Sequence, residues 1–147
     1  MRQPPHSIQV RLLYVSHAVG PQTTTMTSSI LLQAHQHNPT QGISGVLCQG
    51  QGLFFQVLEG ERSRVNALYR RICADKRHRD VEVLHYEEIT ERRFGQWSMA
   101  LVRLSVDDPK VQMQDPDFDP YSASGGQVMQ QVMNLLETGQ PIQMTVP

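Results

Sequence analysis

The chain has 147 residues, 39% hydrophobic and 18% charged, with a net charge of −1, a size that fits one domain with a real core. The charge balance excludes a polyelectrolyte disordered chain and lacks the basic excess of a sequence-independent nucleic-acid binder. Two cysteines, Cys48 and Cys73, are too few for a disulfide framework and lack metal spacing, which suits a reducing cytoplasm. Residues 1–7 hold two prolines and no apolar run, so no signal peptide is expected, and no stretch approaches the roughly 18 apolar residues of a membrane span.

Residues 10–16 (VRLLYVS) are predicted as a strand from their β-branched and aromatic content, with Val10, Leu12, Tyr14 and Ser16 on one face. Gly20-Pro21 breaks it. Met26, Ile30, Leu31 and Ala34 then fall at helical spacing, and the Thr/Ser run over 23–29 offers a cap. Asn38-Pro39 is expected to stop that helix, because a residue before proline avoids helical angles. Residues 43–48 and 53–58 read as a hairpin around Gln49-Gly50-Gln51-Gly52, and Glu59-Gly60 as the turn after it. Val65, Leu68, Tyr69, Ile72 and Cys73 repeat at helical spacing, the clearest helix in the chain. Residues 81–86 and 97–104 are two further strands, separated by a charged turn over 87–93, and Trp97 and Met99 are expected to share a strand face.

The order is that of an α+β, ferredoxin-like βαββαβ(β) sheet with two helices on one face. Residues 107–126, rich in Asp, Pro, Ser and Gly, read as a loop. Val128, Met129, Val132, Leu135 and Leu136 then define one amphipathic helix, a C-terminal helical appendage. It covers either the other sheet face or a second subunit.

From Leu12 to Leu58 there is no formally charged residue over 47 positions, which marks either a heavily buried half-domain or one wall of a neutral pocket. Residues 1–103 hold twelve basic and eight acidic residues, net +4, whereas 104–147 hold one basic and six acidic, net −5. The shift near Leu104 is a candidate boundary.

Few residues point to chemistry. Of the six histidines, His35 and His37 are two apart and share no helix face, so no metal site is expected. GxGxxG is absent, GQG at 50–52 is hairpin chemistry, and Ser44 in GISG is no nucleophile elbow. Gln56 is the informative residue. It lies between Phe54 and Leu58 on its strand face, so it is either a surface residue of a half-exposed face or a buried amide held by a polar group or a ligand. Tyr14 is a phenol in a similar setting, and Asn38 reads as a helix-end residue. The residues thus support a small α/β domain with a neutral, amide-lined pocket between its helices.

RLLYVS (11–16), HNPTQGISGVL (37–47), FFQVLEGE (54–61), ADKRHRDVEVL (74–84) and ERRFGQWSMAL (91–101) together resemble the BLUF domain, the blue-light sensor using flavin. The resemblance divides the chain into an N-terminal extension (1–9), a flavin-binding domain (10–104) and a tail with one helix (105–147). It implies a ferredoxin-like fold with the flavin ring between the two helices. By position, Tyr14 matches the photoactive tyrosine and Gln56 the glutamine that bridges it to the flavin. Asn38 matches the asparagine at the flavin pyrimidine edge, and Ile30 and Ile72 the aliphatic residues on the two ring faces. Arg77 and His78 match the pair beside the pyrimidine carbonyl, with Asp75 close by. Ser16, Trp97 and Met99 match positions around the glutamine, and His37 stands at a polar position. Ser44 replaces the usual threonine, and Gln49 stands where an aromatic is common.

The implied activity is a photoreceptor, not an enzyme. The cofactor is FAD, with FMN and riboflavin as alternatives, and light alters the Tyr14–Gln56–flavin hydrogen bonds. The signal is then expected to leave through a homo-oligomer or a downstream protein partner, with no nucleic acid and no membrane involved. A flavin-dependent oxidoreductase and a cofactor-free interaction module are the competing readings.

Overall fold

A computed structural model describes residues 7–104, 119–138 and 142–143. Strand β1 (Gln9–Ala18) lies between β3 (Leu53–Glu61) and β4 (His78–Ile89), antiparallel to both. Strand β2 (Ser44–Gly50) pairs antiparallel with β3 and parallel with β5 (Ala100–Arg103), and β6 (Ile142–Gln143) adds an antiparallel edge. The order β4-β1-β3-β2-β5-β6 begins with the ferredoxin-like arrangement. Central strands β1 and β3 are buried on both faces and therefore read as nearly continuous apolar runs. At the β2–β3 hairpin, Gln51 (φ 54°) and Gly52 (φ 78°) both take the left-handed conformation that a tight hairpin turn needs.

Helices α1 (Thr24–Gln41) and α2 (Arg62–Cys73) share a core with Leu12, Tyr14, Leu47, Phe54, Leu58 and Met99. Helix α3 (Gly125–Thr138) packs on the opposite face, where Val128, Met129, Val132 and Leu135 meet Leu13, Val15, Val46, Phe55 and Val57. Each such side chain stabilises by about 1.5–3 kcal/mol relative to exposure. Between the two alternatives for the appendage, the structure thus selects the other face of the same sheet. The part of the expected loop over 107–118 lies outside the described residues.

Four local expectations are corrected. Helix α1 does not stop at Asn38-Pro39 but runs to Gln41. Its end is set by Gly42 at φ 64°, with Gly42 N–H donating to Pro39 O (3.3 Å) and Ile43 N–H to Asn38 O (2.9 Å). This Schellman closure tolerates the one helical donor that proline lacks. Glu59-Gly60 is not a turn: both residues pair with Arg11 and Val10 of β1, and β3 continues to Glu61. Strand β4 is longer than expected because all of β1 serves as its template, and it bulges between its partners Leu13/Tyr14 and Val15/His17. Finally, regular pairing begins only at Ala100, so Trp97 and Met99 do not alternate on a strand. Trp97 packs against the core under α3, and Met99 lies in the core under α1 and α2.

Candidate functional site

Between α1 and α2 the sheet opens into a cleft. Ile30, Ala34, His37 and Asn38 come from α1, and Leu68, Arg71 and Ile72 from α2. Tyr14 of β1 and Leu47, Phe54 and Gln56 of the β2–β3 hairpin line it from the sheet side, and Asp75, Arg77 and His78 follow α2. The two isoleucines present aliphatic surface from opposite helices. The amides of Gln33, Asn38 and Gln56 and the Tyr14 phenol offer neutral donors and acceptors to a planar, hydrogen-bonding ligand, and Arg71, Asp75, Arg77, His37 and His78 add charged and imidazole groups.

Cross-strand register makes the central pair. Tyr14 lies opposite Gln56, and its Oη donates to Gln56 Oε1. Gln56 Nε2 donates to Met99 Sδ at 3.4 Å, a weak acceptor. Burial pushes the Tyr14 hydroxyl far above its ordinary value near 10, and Asp75 adds to the rise, so Tyr14 is a neutral donor at physiological pH. Asn38, buried at the C-terminal end of α1, donates from Nδ2 to Ser98 O at 2.7 Å.

The rim is tied together by charge. Arg77 meets Asp75 through its backbone N–H (2.9 Å) and Nε (3.0 Å), and reaches Ser29 Oγ (3.0 Å) and Gln33 Oε1 (2.9 Å) on α1. The hydrogen bond from Arg77 holds the Asp75 carboxyl below the usual carboxylate range. His78 Nε2 faces Ile72 O, which only accepts, so Nε2 carries the proton. Nδ1 is hydrogen-bonded with Ser16 Oγ at 2.8 Å.

Of the residues singled out from sequence, Tyr14, Ile30, His37, Asn38, Gln56, Ile72, Asp75, Arg77 and His78 line one cleft. Ser16 stands behind His78, and Met99 behind Gln56. Trp97 is not brought to the cleft: it packs on the opposite sheet face, because residues 97–99 are in irregular backbone. Leu47, Phe54, Ala34 and Leu68 also line the cleft, and their signal was present. Leu47 pairs with Gln56, Phe54 shares its strand face, and Ala34 and Leu68 lie one turn from Ile30 and Ile72. Gln33 and Arg71 carried no such signal.

Two buried amide groups stay under-satisfied by the protein. Among the described residues Asn38 Oδ1 has no donor, and Gln56 Nε2 has only the thioether. Both line the cleft, where a flat ring with donors and acceptors on its edge would complete them.

Residues 9–100 match the family model described as BLUF, sensors of blue-light using FAD. The photoactivated adenylate cyclase subunit beta of Euglena gracilis is 38% identical over 90 residues, 60% of this chain and 10% of that protein. The blue light- and temperature-regulated antirepressor BluF of Escherichia coli (strain K12) is 32% identical over 95 residues, 65% of this chain and 24% of that protein. The chain thus spans about a tenth and about a quarter of these two relatives. Among solved structures, BlsA in its ground state superposes with a TM-score of 0.80 at 29% identity, over 95% of this chain and 94% of that one. In its photo-activated state the values are 0.79 and 28%, over 92% and 99%. The chain belongs to the BLUF family: it is a blue-light sensor that binds flavin. No helix among the described residues is long and apolar enough to cross a membrane.

Proposed function

We propose that the chain holds one flavin between α1 and α2 and reports blue light by rewriting the Tyr14–Gln56 hydrogen bond. The observation that carries this reading is the buried Tyr14–Gln56 pair at the base of a cleft with two under-satisfied amides. Ile30 and Ile72 would flank the ring, Asn38 would meet its amide-like edge, and Asp75, Arg77 and His78 would close its rim, with His37 beside Asn38. FAD is the proposed form. Arg71 and Arg77 at the cleft suit a phosphorylated flavin, a feature shared by FMN and not by riboflavin.

When bound, the flavin supplies the light absorption and the electron-accepting chemistry. Tyr14 keeps its proton at Oη and donates it to Gln56 Oε1. A half-turn of the Gln56 amide, or its tautomerisation, exchanges donor for acceptor and changes what the side chain offers the cleft. Met99 sets the cost of that motion, because its Sδ faces the amide nitrogen. The altered packing is passed on in the cytoplasm to a second copy of the chain or to a downstream protein partner, as suits a light-regulated antirepressor among the relatives.

The test is the absorption spectrum of the purified chain before and after blue light, with chromatography of the released cofactor. A yellow protein with one flavin per chain and a reversible red shift is expected, and FAD as the released form. A colourless protein that no flavin reconstitutes overturns the proposal.

A further inference from the structure

Glu59 lies three residues beyond Gln56 on β3, and its side chain is fully buried. A carboxylate without solvent is costly unless it is paired and hydrogen-bonded. Here Oε2 accepts from Arg11 Nε (2.8 Å) and from the Arg93 backbone N–H (3.0 Å), with Arg11 Nη2 at 2.6 Å. Oε1 accepts from the Phe94 backbone N–H at 2.7 Å. Arg11 also reaches Glu87 Oε1 and Glu91 O, and its guanidinium sits 5.9 Å from the centre of the Phe94 ring. A buried ion pair therefore grips consecutive residues of a segment that has no regular secondary structure.

What that segment carries is the site. Trp97 N–H donates to Phe94 O (3.1 Å), and Trp97 O accepts from Gly45 N–H (3.1 Å). Ser98 O then takes Asn38 Nδ2, Met99 O takes His35 Nε2 (3.0 Å), and Met99 Sδ takes Gln56 Nε2. With Phe94 clamped at one end and β5 starting at Ala100, few conformations of residues 95–99 are left.

We propose that Glu59 is a positioning residue for the light switch: its carboxylate fixes residues 93–94 and so seats Ser98 and Met99 against Asn38 and Gln56. This rests on the Tyr14–Gln56 reading above. A firmly seated Met99 cages the Gln56 amide and slows its rotation, and a loosened segment lowers that barrier.

The experiment uses the full, flavin-loaded chain as wild type, Glu59→Gln, Met99→Ala, the double variant and Arg11→Lys. Each is followed by its light-minus-dark spectrum, its recovery rate in the dark and its thermal melt. Glu59→Gln is expected to recover at least about threefold faster than wild type. Arg11→Lys, which keeps a cation beside Glu59, should show a smaller acceleration. In the Met99→Ala background, Glu59→Gln should still lower the melting temperature yet add no further acceleration. A Glu59→Gln protein that melts earlier but recovers at the wild-type rate overturns the proposal, as do accelerations that simply multiply in the double variant. If Glu59→Gln does not fold, Arg11→Lys decides: lower stability with unchanged recovery overturns it. A wild-type chain without any red shift sinks the underlying reading instead, before Glu59 is tested.

Discussion

Tyr14→Phe separates the switch from the flavin site. The tyrosine is 3% exposed, and its ring lies 5.9 Å from that of Tyr69 and 6.1 Å from that of His78. Phenylalanine keeps this packing and removes one hydroxyl, which leaves Gln56 Oε1 without a donor among the described residues. An unsatisfied buried acceptor costs about 1–3 kcal/mol. The substituted ring no longer buries a hydroxyl of its own, so the net loss falls near the lower end, about 1 kcal/mol. In a domain of this size that is about 4 °C in melting temperature. Asn38, Arg77 and both isoleucines are untouched, so flavin should remain stoichiometric. The assay pairs a thermal melt with the light-minus-dark spectrum of the loaded protein. Flavin retained, a small fall in Tm and no reversible red shift are expected. A normal red shift in Tyr14→Phe would refute the assignment of Tyr14 as the donor.

Three further outcomes follow from the same contacts. Asn38→Ala removes a buried amide from the cleft and its bond to Ser98 O, and titration of the apo chain should show flavin affinity reduced about tenfold or more. Burial raises the Tyr14 hydroxyl in the folded state, so its contribution to stability is whole below about pH 10 and is lost as pH rises further, where only the unfolded chain ionises. Tyr121, pushed up to about 12 chiefly by burial, acts with the same sign; denaturant midpoints should fall above pH 10, whereas an unchanged red shift is expected up to pH 9. Gly125 permits α3 to meet the edge strand, since a Cβ there would lie 1.7 Å from Leu84 O. Gly125→Ala should therefore lower Tm and speed hydrogen exchange over residues 128–136, and wild-type rates there would show that α3 is seated elsewhere.

Tyr14 and Gln56 stood out in the sequence as polar side chains beside apolar neighbours at the strand period of two, but that period left Gln56 open between a surface and a buried position. The family resemblance implied their role, and the β1–β3 register shows them buried and paired. Helix α2 was legible for the analogous reason at the helical period. Local signals failed where a distant partner decides. Asn38-Pro39 looks like a helix end, yet the closure at Gly42 carries α1 beyond it. Trp97 and Met99 have strand-like spacing, but Gly45, Asn38 and Gln56 hold their segment in irregular backbone and send the two side chains to opposite faces. Glu59 beside glycine has the look of a turn, and nothing near it in the chain says otherwise. Its burial is decided by Arg11, 48 positions earlier, which the β1–β3 register sets directly opposite. A charge is tolerated inside a core only where tertiary structure brings its counter-charge and donors to it, and that pairing is absent from any local stretch of sequence.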